Sequence, residues 1–288
     1  MSDPTWDHYF IPGTDVLRNN FVDAAHPHGI TDKDTLASLE HDISMIKMVE
    51  ILSQPTPPDT EFDLAYMKQI HARIFGPIYP FAGQIRTGPD ATRVMRKIAP
   101  DVVDYAPGDP AAPMRDYYYR SITNLEPSAE HAYGLPKKFN YFLDAPRPNV
   151  VGALAATWGA VNQHHVFREG NTRSQFVYFT QLAERAGYDF EFARFAEDAD
   201  LRAEFVDARY HHQSTGTAER LTAVIDKALT PITPDHPVDR GPSLGALLAA
   251  TRPAKLARAA QQSPSLQPPH AAPPDLDLGR DTGRGVAD

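Results

Sequence analysis

Apolar residues recur at the three- to four-residue spacing of α-helices in several stretches of this chain. The first stretch follows Thr31 and Asp32, which can cap a helix, and a proline-rich turn at residues 55–58 ends it. The second stretch covers residues 61–75. The apolar stripe of the first stretch is Leu36, Leu39, Ile43, Ile46 and Val49. Two later stretches have the stripes Val150, Val151, Leu154, Trp158 and Val161, and Phe176, Phe179, Leu182 and Ala183. The spacing predicts helices, and the last two meet at a short turn.

That turn brings a base, an acid and an arginine together within nine residues. His165 ends one predicted helix, and Gly170 and Asn171 open the next, with Glu169 before them and Arg173 in the first turn. Free N–H groups and a partial positive charge at a helix N-terminus favour a bound anion. An arginine there can add two-pronged contacts to phosphate. The arrangement predicts a phosphate-binding site beside a histidine.

Residues 165–176 resemble the signature of the Fic (filamentation induced by cAMP) family, which reads His-x-Phe-x-(Asp/Glu)-Gly-Asn-Gly-Arg-x-x-Arg. Other segments resemble the N-terminal entry of that family, one of its helices, its Ala-Gly-x-x-Arg-Thr lead into a flap, and its closing helix. These segments are residues 9–19, 63–71, 78–87 and 219–229. In a plainer interpretation His165 only caps a helix, and Glu169 and Arg173 form an ordinary i,i+4 ion pair. That interpretation leaves the other segments unexplained.

The resemblance implies an all-α fold, a Fic-type helical bundle with a small β-hairpin flap at about residues 85–100. It covers a domain at residues 1–230, with the motif at residues 165–176. The implied activity is that of a protein adenylyltransferase, which moves AMP from ATP to a Ser, Thr or Tyr hydroxyl of a target protein.

Site roles carry over from the family residue by residue. His165 would be the general base, a role that suits an imidazole because its ordinary pKa lies near neutrality. Glu169 would hold Mg²⁺ against the phosphates. Phe167 would pack into the core, whereas Arg168 is expected to face solvent or the target. The residues expected to bind the nucleotide phosphates are Gly170, Asn171, Thr172 and Arg173.

Two positions depart from the family pattern. Thr172 stands where the second glycine is usual, and its Cβ could crowd the phosphates. Phe176 replaces the final arginine, which in the family helps to hold the far phosphate. Two alternatives therefore stay open. One is a phosphotransferase like the Doc toxins, with the nucleotide reversed, and the other is a pseudoenzyme that binds a nucleotide or a partner protein.

The flap also departs from the family. In relatives it pairs with an extended segment of the target through backbone hydrogen bonds. The residues expected to dock the target are Thr87, Gly88, Arg93, Val94 and Met95. Three basic residues within positions 93–97 could favour an acidic target, and an exposed, solvated hairpin is the plainer alternative.

Two segments fit most of the autoinhibitory motif (Ser/Thr)-x-x-x-Glu-(Gly/Asn) of the family. They are residues 180–184 and 215–219, and each is followed by arginine instead of Gly or Asn. Neither segment is convincing, so a separate small antitoxin-like protein is a further hypothesis for an inhibitor.

The composition of the chain argues against several classes of function. The 288 residues are 42% hydrophobic and carry a formal net charge of −9, which argues against a general nucleic-acid binder. The chain has no cysteine, so disulfides and thiolate metal sites are excluded. No secretory leader or membrane-spanning run is visible. We expect a cytoplasmic protein with no membrane partner, although delivery into another cell would leave no such signal.

Residues 231–288 have a different character. They contain ten of the 27 prolines and no Phe, Trp or Tyr, a composition that cannot build a core. We expect a disordered, Pro- and Ala-rich C-terminal tail. A short apolar island at residues 244–248 is a candidate docking motif within it.

Overall fold

The computed structural model describes residues 4–89 and 94–238 of the chain. Helices account for about half of these residues and strands for few of them, as the resemblance implies. The helices are α1 (Pro4–Asp7), α2 (Lys33–Leu52), α3 (Leu64–Phe75), α4 (Leu125–Tyr133), α5 (Leu135–Lys138), α6 (Arg147–His164), α7 (Asn171–Arg185), α8 (Arg194–Glu197), α9 (Ala199–Thr215) and α10 (Glu219–Ala228). The strands are β1 (Arg96–Pro100), β2 (Met114–Tyr118), β3 (Tyr188–Phe190) and β4 (Leu229–Pro231).

Helix α7 lies at the centre of the bundle, because every residue from Asn171 to Ala183 is buried. Its apolar side chains pack against α6, where the Trp158 indole stacks on the Phe179 ring with centroids 4.3 Å apart. Trp158 also donates from Nε1 to Gln175 at 3.0 Å. Replacing such a buried aromatic by alanine costs about 3–5 kcal/mol. The predicted stripes of these two helices are therefore confirmed as core.

Helix α2 begins where the sequence predicts, since the Asp32 carboxylate accepts a hydrogen bond from the Thr35 backbone N–H at 2.8 Å. Its buried face differs from the predicted stripe. Ile46 is 42% exposed, whereas Glu40 and Ser44 are buried. Both polar side chains turn inward because they contact an arginine of α7, as described below.

The small β-hairpin is present as an antiparallel pair of β1 and β2. Arg96 lies opposite Tyr118, and Pro100 lies opposite Met114. The predicted flap at residues 85–100 contains β1, whereas β2 returns beyond it. Residues 90–93, which include the predicted docking residue Arg93, lie outside the described residues.

A second antiparallel pair joins β3 to β4, with Tyr188 opposite Pro231. The Ile232 backbone N–H also donates to the Gly187 carbonyl at 2.9 Å. The predicted division at residue 230 thus falls inside β4. From residue 239 onward the predicted tail, with its apolar island, lies outside the described residues. Within the part of the chain that is described, no helix is both long and apolar enough to cross a membrane.

Candidate active site

His165 lies directly after the last residue of α6 and adopts a left-handed backbone conformation, with φ of 46°. This conformation is rare for a residue with a side chain and requires outside support. Arg86 supplies it, because its Nε donates to the His165 carbonyl at 2.8 Å. The Arg86 backbone N–H also donates to the Val166 carbonyl at 2.8 Å. The Ala-Gly-x-x-Arg-Thr lead therefore clamps the end of α6.

The His165 imidazole is only 3% exposed and stacks on the ring of Tyr119. The two ring centroids are 3.9 Å apart and the planes are 24° from parallel. Tyr119 follows β2 directly, and its backbone N–H extends the hairpin ladder by donating to the Met95 carbonyl at 2.9 Å. The hairpin thus sets the orientation of the candidate base.

The loop between the two helices is fixed by the side chain of Asn171. Its Oδ1 accepts from the Phe167 backbone N–H at 2.9 Å, and its Nδ2 donates to the Phe167 carbonyl at 2.8 Å. Phe167 is buried, as expected. Gly170 has φ of 78°, and a Cβ there would lie 2.2 Å from the Phe75 ring. Only glycine fits both the backbone and the space at this position.

His71 of α3 supports the loop between α6 and α7 by a hydrogen bond. Its Nε2–H donates to the Glu169 carbonyl at 2.8 Å, and its Nδ1 accepts from the Gly83 backbone N–H at 2.8 Å. The ring stacks on Phe167 with centroids 3.9 Å apart. Burial, aided by the charge of Arg173, lowers the pKa of His71 to about 3. His71 is therefore neutral at physiological pH, in one tautomer.

Glu169 and Arg173 belong to a buried cluster of charged and polar groups. Arg173 donates to the Glu40 carboxylate and to the Ser44 hydroxyl, the latter at 2.9 Å, and lies 3.7 Å from Glu169 Oε1. Tyr79 also donates to Glu40. Burial opposes the charge of Arg173, but Glu40 and Glu169 raise its pKa above the ordinary value. Burial and the same carboxylates raise the pKa of Tyr79.

Thr172 and Phe176, the two departures from the family signature, both face α9. The Thr172 hydroxyl accepts from Arg209 at 2.7 Å. The Phe176 ring packs in an aromatic cluster, 5.3 Å from Trp158 and 5.2 Å from Phe205 between centroids. Phe176 therefore fills the core at the place where the family has a charged side chain.

Arg168 does not face solvent, contrary to the expectation from its place in the motif. It is 3% exposed, and its guanidinium lies 4.3 Å from the Trp6 ring and 5.2 Å from the Phe10 ring. These contacts attach the N-terminal segment to the loop through cation–π interactions.

The predicted docking residues of the flap have different surroundings. The Thr87 backbone N–H donates to the Tyr9 hydroxyl at 3.0 Å. The Gly88 carbonyl accepts from Arg86 at 3.0 Å, and Val94 is half-buried. Met95 is 1% exposed, so its side chain belongs to the core and not to a docking surface.

The structure thus brings the six predicted motif residues into one region, from the end of α6 to the first turn of α7. It adds residues that the sequence did not single out: Glu40, His71, Arg86, Tyr119 and Arg209. Arg86 lies in a segment that already resembled the family, which was a usable signal. Glu40 and Arg209 had none, because charged residues on helices usually face water.

Glu169 is the candidate carboxylate for a metal at this site. Glu169 Oε1 accepts from the Gly170 backbone N–H at 3.0 Å, beside the start of α7. Within the described residues, no three His, Asp or Glu side chains form a cluster that could hold a metal ion. A single carboxylate does suit Mg²⁺, which prefers one or two carboxylates together with phosphate oxygens of a substrate.

The chain is similar in sequence to known proteins. The protein adenylyltransferase VbhT of Bartonella schoenbuchensis is 28% identical over 235 residues, which cover 81% of this chain and 41% of that protein. The chain therefore spans less than half the length of this relative.

Two crystal structures share the fold. BepC, a VirB-translocated effector protein of Bartonella tribocorum with bound AMPPNP, aligns with a TM-score of 0.60 at 16% identity, over 80% of this chain and 100% of its own. The N-terminal Fic domain of a VirB-translocated Bep effector protein of Bartonella quintana, with bound ADP, aligns with a TM-score of 0.63 at 18% identity. This alignment covers 79% of this chain and 96% of that domain's chain.

A sequence model of the Fic/DOC family matches residues 61–183. This range holds the clamp on His165, the loop that follows it and most of α7. By this match, residues 61–183 of the chain carry a Fic/DOC family domain.

Proposed function

We propose that this protein is an adenylyltransferase that transfers AMP from ATP to a hydroxyl side chain of a target protein. One observation carries the proposal: a loop of four residues joins His165 to the glycine that opens α7, and buried hydrogen bonds fix both ends of that loop. These hydrogen bonds support a base and an anion-binding helix start that act side by side. Relatives named as protein adenylyltransferases support the same activity.

His165 is the general base in this proposal. Its imidazole takes the proton from the target hydroxyl while the hydroxyl oxygen attacks the α-phosphorus of ATP. The bond between the α-phosphorus and the oxygen that bridges to the β-phosphate breaks, and pyrophosphate leaves. The stack on Tyr119 and the clamp of Arg86 limit the motion of the imidazole, which matters because such transfers depend on alignment.

The phosphates bind at the start of α7. The first turn of a helix leaves backbone N–H groups without intrahelical partners, so Asn171 and Thr172 contribute these groups. The Asn171 side chain makes its hydrogen bonds to the loop, so it is the Asn171 backbone N–H that binds the nucleotide. Gly170 allows close approach, and Arg173 neutralises the departing pyrophosphate. ATP must then compete with Glu40 for Arg173.

Glu169 would hold Mg²⁺ when ATP binds, and the ion would neutralise charge on the phosphates. The carboxylate already points to the start of α7 through its contact with the Gly170 N–H.

The target protein would add a strand to the hairpin. In the antiparallel ladder alternate residues turn their backbone groups away from the partner strand. Since Lys97 lies opposite Tyr117 and the Met95 carbonyl accepts from Tyr119, Ile98 turns its backbone groups to the outer edge of β1. Its side chain is 55% exposed. An extended segment with a Ser, Thr or Tyr would bind along this edge.

Two further proposals concern the setting in which the enzyme acts. Relatives named as VirB-translocated effectors support delivery of this protein into another cell, with a cytoplasmic site of action. A small separate antitoxin-like protein would restrain it before delivery.

The test is intact-protein and lysate mass spectrometry after incubation with ATP and Mg²⁺, with the unaltered chain beside His165→Ala. An added AMP that requires His165, and label transfer from α-labelled but not γ-labelled ATP, is the expected result. Transfer of the γ-phosphate would contradict the proposal in favour of a phosphotransferase. ATP binding with no transfer, in lysates from several cell types, would favour a pseudoenzyme.

A further inference from the structure

The two departures from the family signature are coupled through α9. Thr172 and Phe176 lie one turn apart on α7, and Phe205 and Arg209 lie one turn apart on α9. The Phe176 and Phe205 rings pack with centroids 5.2 Å apart, and Arg209 donates to the Thr172 hydroxyl at 2.7 Å in the next layer. An aromatic pair thus stands where the family has its final arginine. Arg209 of α9 contacts α7 at Thr172, one turn closer to the start of α7 than Phe176.

Arg209 is a buried cation without a countercharge. It is 4% exposed, and Thr172, its hydrogen-bond acceptor, is 3% exposed. In the described part of the chain no carboxylate forms an ion pair with Arg209, and its Nε has no hydrogen-bond partner. The Phe205 ring, 5.2 Å from the guanidinium, is its other neighbour of note. A buried charge is costly unless it is paired, so this position favours an anionic ligand.

We propose that Arg209 binds the phosphates of ATP beyond the α-phosphate, in place of the arginine that Phe176 has replaced. Thr172 positions it, since a glycine at 172 would offer no hydroxyl to hold the guanidinium. The anion would lie between Arg209 and the N–H groups of the first turn of α7, where the helix charge and the planar guanidinium fork act on the same oxygens. This inference rests on the proposed function, because it assumes ATP at the start of α7.

The test is calorimetric titration of the full chain with ATP, ADP and AMP in the presence of Mg²⁺. Arg209→Met should weaken ATP binding by about tenfold or more, the usual loss for a charged hydrogen bond. Its AMP binding should change little, because AMP has no further phosphates. Arg209→Lys should keep part of the preference for ATP over AMP. Thr172→Val, which keeps the volume and removes the hydroxyl, should reduce that preference.

Arg185→Met is the matched control. Arg185 lies on α7, as Thr172 does, and is partly buried, where it donates to the Thr60 carbonyl at 2.7 Å and packs on Tyr141. Its loss should leave the ATP-to-AMP ratio unchanged. This control separates loss of a phosphate contact from loss of a packed arginine.

An unchanged ATP-to-AMP ratio in folded Arg209→Met, or equal weakening of all three nucleotides, would overturn the inference. If Arg209→Met does not fold, unchanged ratios in both Arg209→Lys and Thr172→Val would overturn it. AMP transfer by the unaltered chain separates this failure from failure of the proposed function. If the unaltered chain neither binds ATP nor transfers AMP, both proposals are wrong.

Discussion

Arg86 holds the carbonyl of His165, with Nε and the carbonyl oxygen 2.8 Å apart, at the point where α6 ends. The same guanidinium donates to the Gly88 carbonyl at 3.0 Å and to the Arg120 carbonyl. One buried side chain thus ties the end of a helix to the lead of the hairpin. This makes Arg86 a positioning residue for His165.

Arg86→Lys should lower AMP transfer more than it lowers nucleotide binding. Lysine keeps the charge but cannot reproduce the planar fork, so the left-handed turn at His165 loses its support. A misplaced base can cost about 100-fold in rate. The measurement is the transfer rate with α-labelled ATP, alongside ATP affinity by calorimetry.

Arg18→Lys is the control for this change. Arg18 is exposed and donates from Nε to the Phe10 carbonyl at 3.0 Å, so it makes a similar bond that does not involve the His165 carbonyl. Equal transfer rates for the two variants would contradict a positioning role for Arg86.

Gly170→Ala should destabilise the fold by about 2–5 kcal/mol. The left-handed conformation costs an L-residue about 1–2 kcal/mol, and overpacking against the Phe75 ring adds about 1–3 kcal/mol. Gly187→Ala separates the two costs, because Gly187 has φ of 88° with nothing within 4 Å of a Cβ. Free energies of unfolding in urea give both values. If the two variants lose the same amount, the contact with Phe75 contributes nothing.

The sequence predicts the turn between α6 and α7 well because the determinants are local. A glycine before a helix, an apolar stripe on either side and a motif of fixed spacing all lie within about 40 residues. The place of Gly170 at the start of α7 follows from this local pattern and is confirmed. The burial of Phe167, which the family resemblance implies, is confirmed as well.

The long-range partners of the turn were not predictable in the same way. Glu40 lies on a helix whose apolar stripe indicated a different buried face, and its partner Arg173 is 133 residues away. Arg168 resembled a surface residue because arginine usually faces water. Packing decides such cases, since a charge can be buried once a partner or an aromatic ring covers it.

Acidification should destabilise the protein through His71. The pKa of His71 is about 3 in the folded protein, because of burial, against about 6.5 in the unfolded chain. The unfolded state therefore binds more protons between these two values, and stability falls as the pH falls from about 6.5 towards 3. One site of this kind contributes about 1.4 kcal/mol per pH unit within that window.

Free energies of unfolding between pH 7.5 and 5 measure this slope. In His71→Gln the slope should become shallower, since no imidazole remains to take up the proton. His131→Gln is the control, because His131 is exposed on α4. The prediction is wrong if the slopes of all three proteins agree.

The buried pair of Glu40 and Arg173 should show strong coupling in a double-mutant cycle. Glu40→Met leaves Arg173 with the neutral Ser44 hydroxyl and the longer contact to Glu169, and Arg173→Met leaves the Glu40 charge buried. Each single change should cost about 3–5 kcal/mol, because one partner of a buried pair stays uncompensated. The double change removes both charges, so it should cost less than the sum by about 1–3 kcal/mol. The pair of Lys137 and Glu61, at 2.6 Å with both side chains more than half exposed, provides the matched cycle. Its coupling should stay below about 1 kcal/mol.

Additive losses at Glu40 and Arg173 would contradict this prediction, because they would mean that Ser44 and Glu169 alone suffice to hold the Arg173 guanidinium.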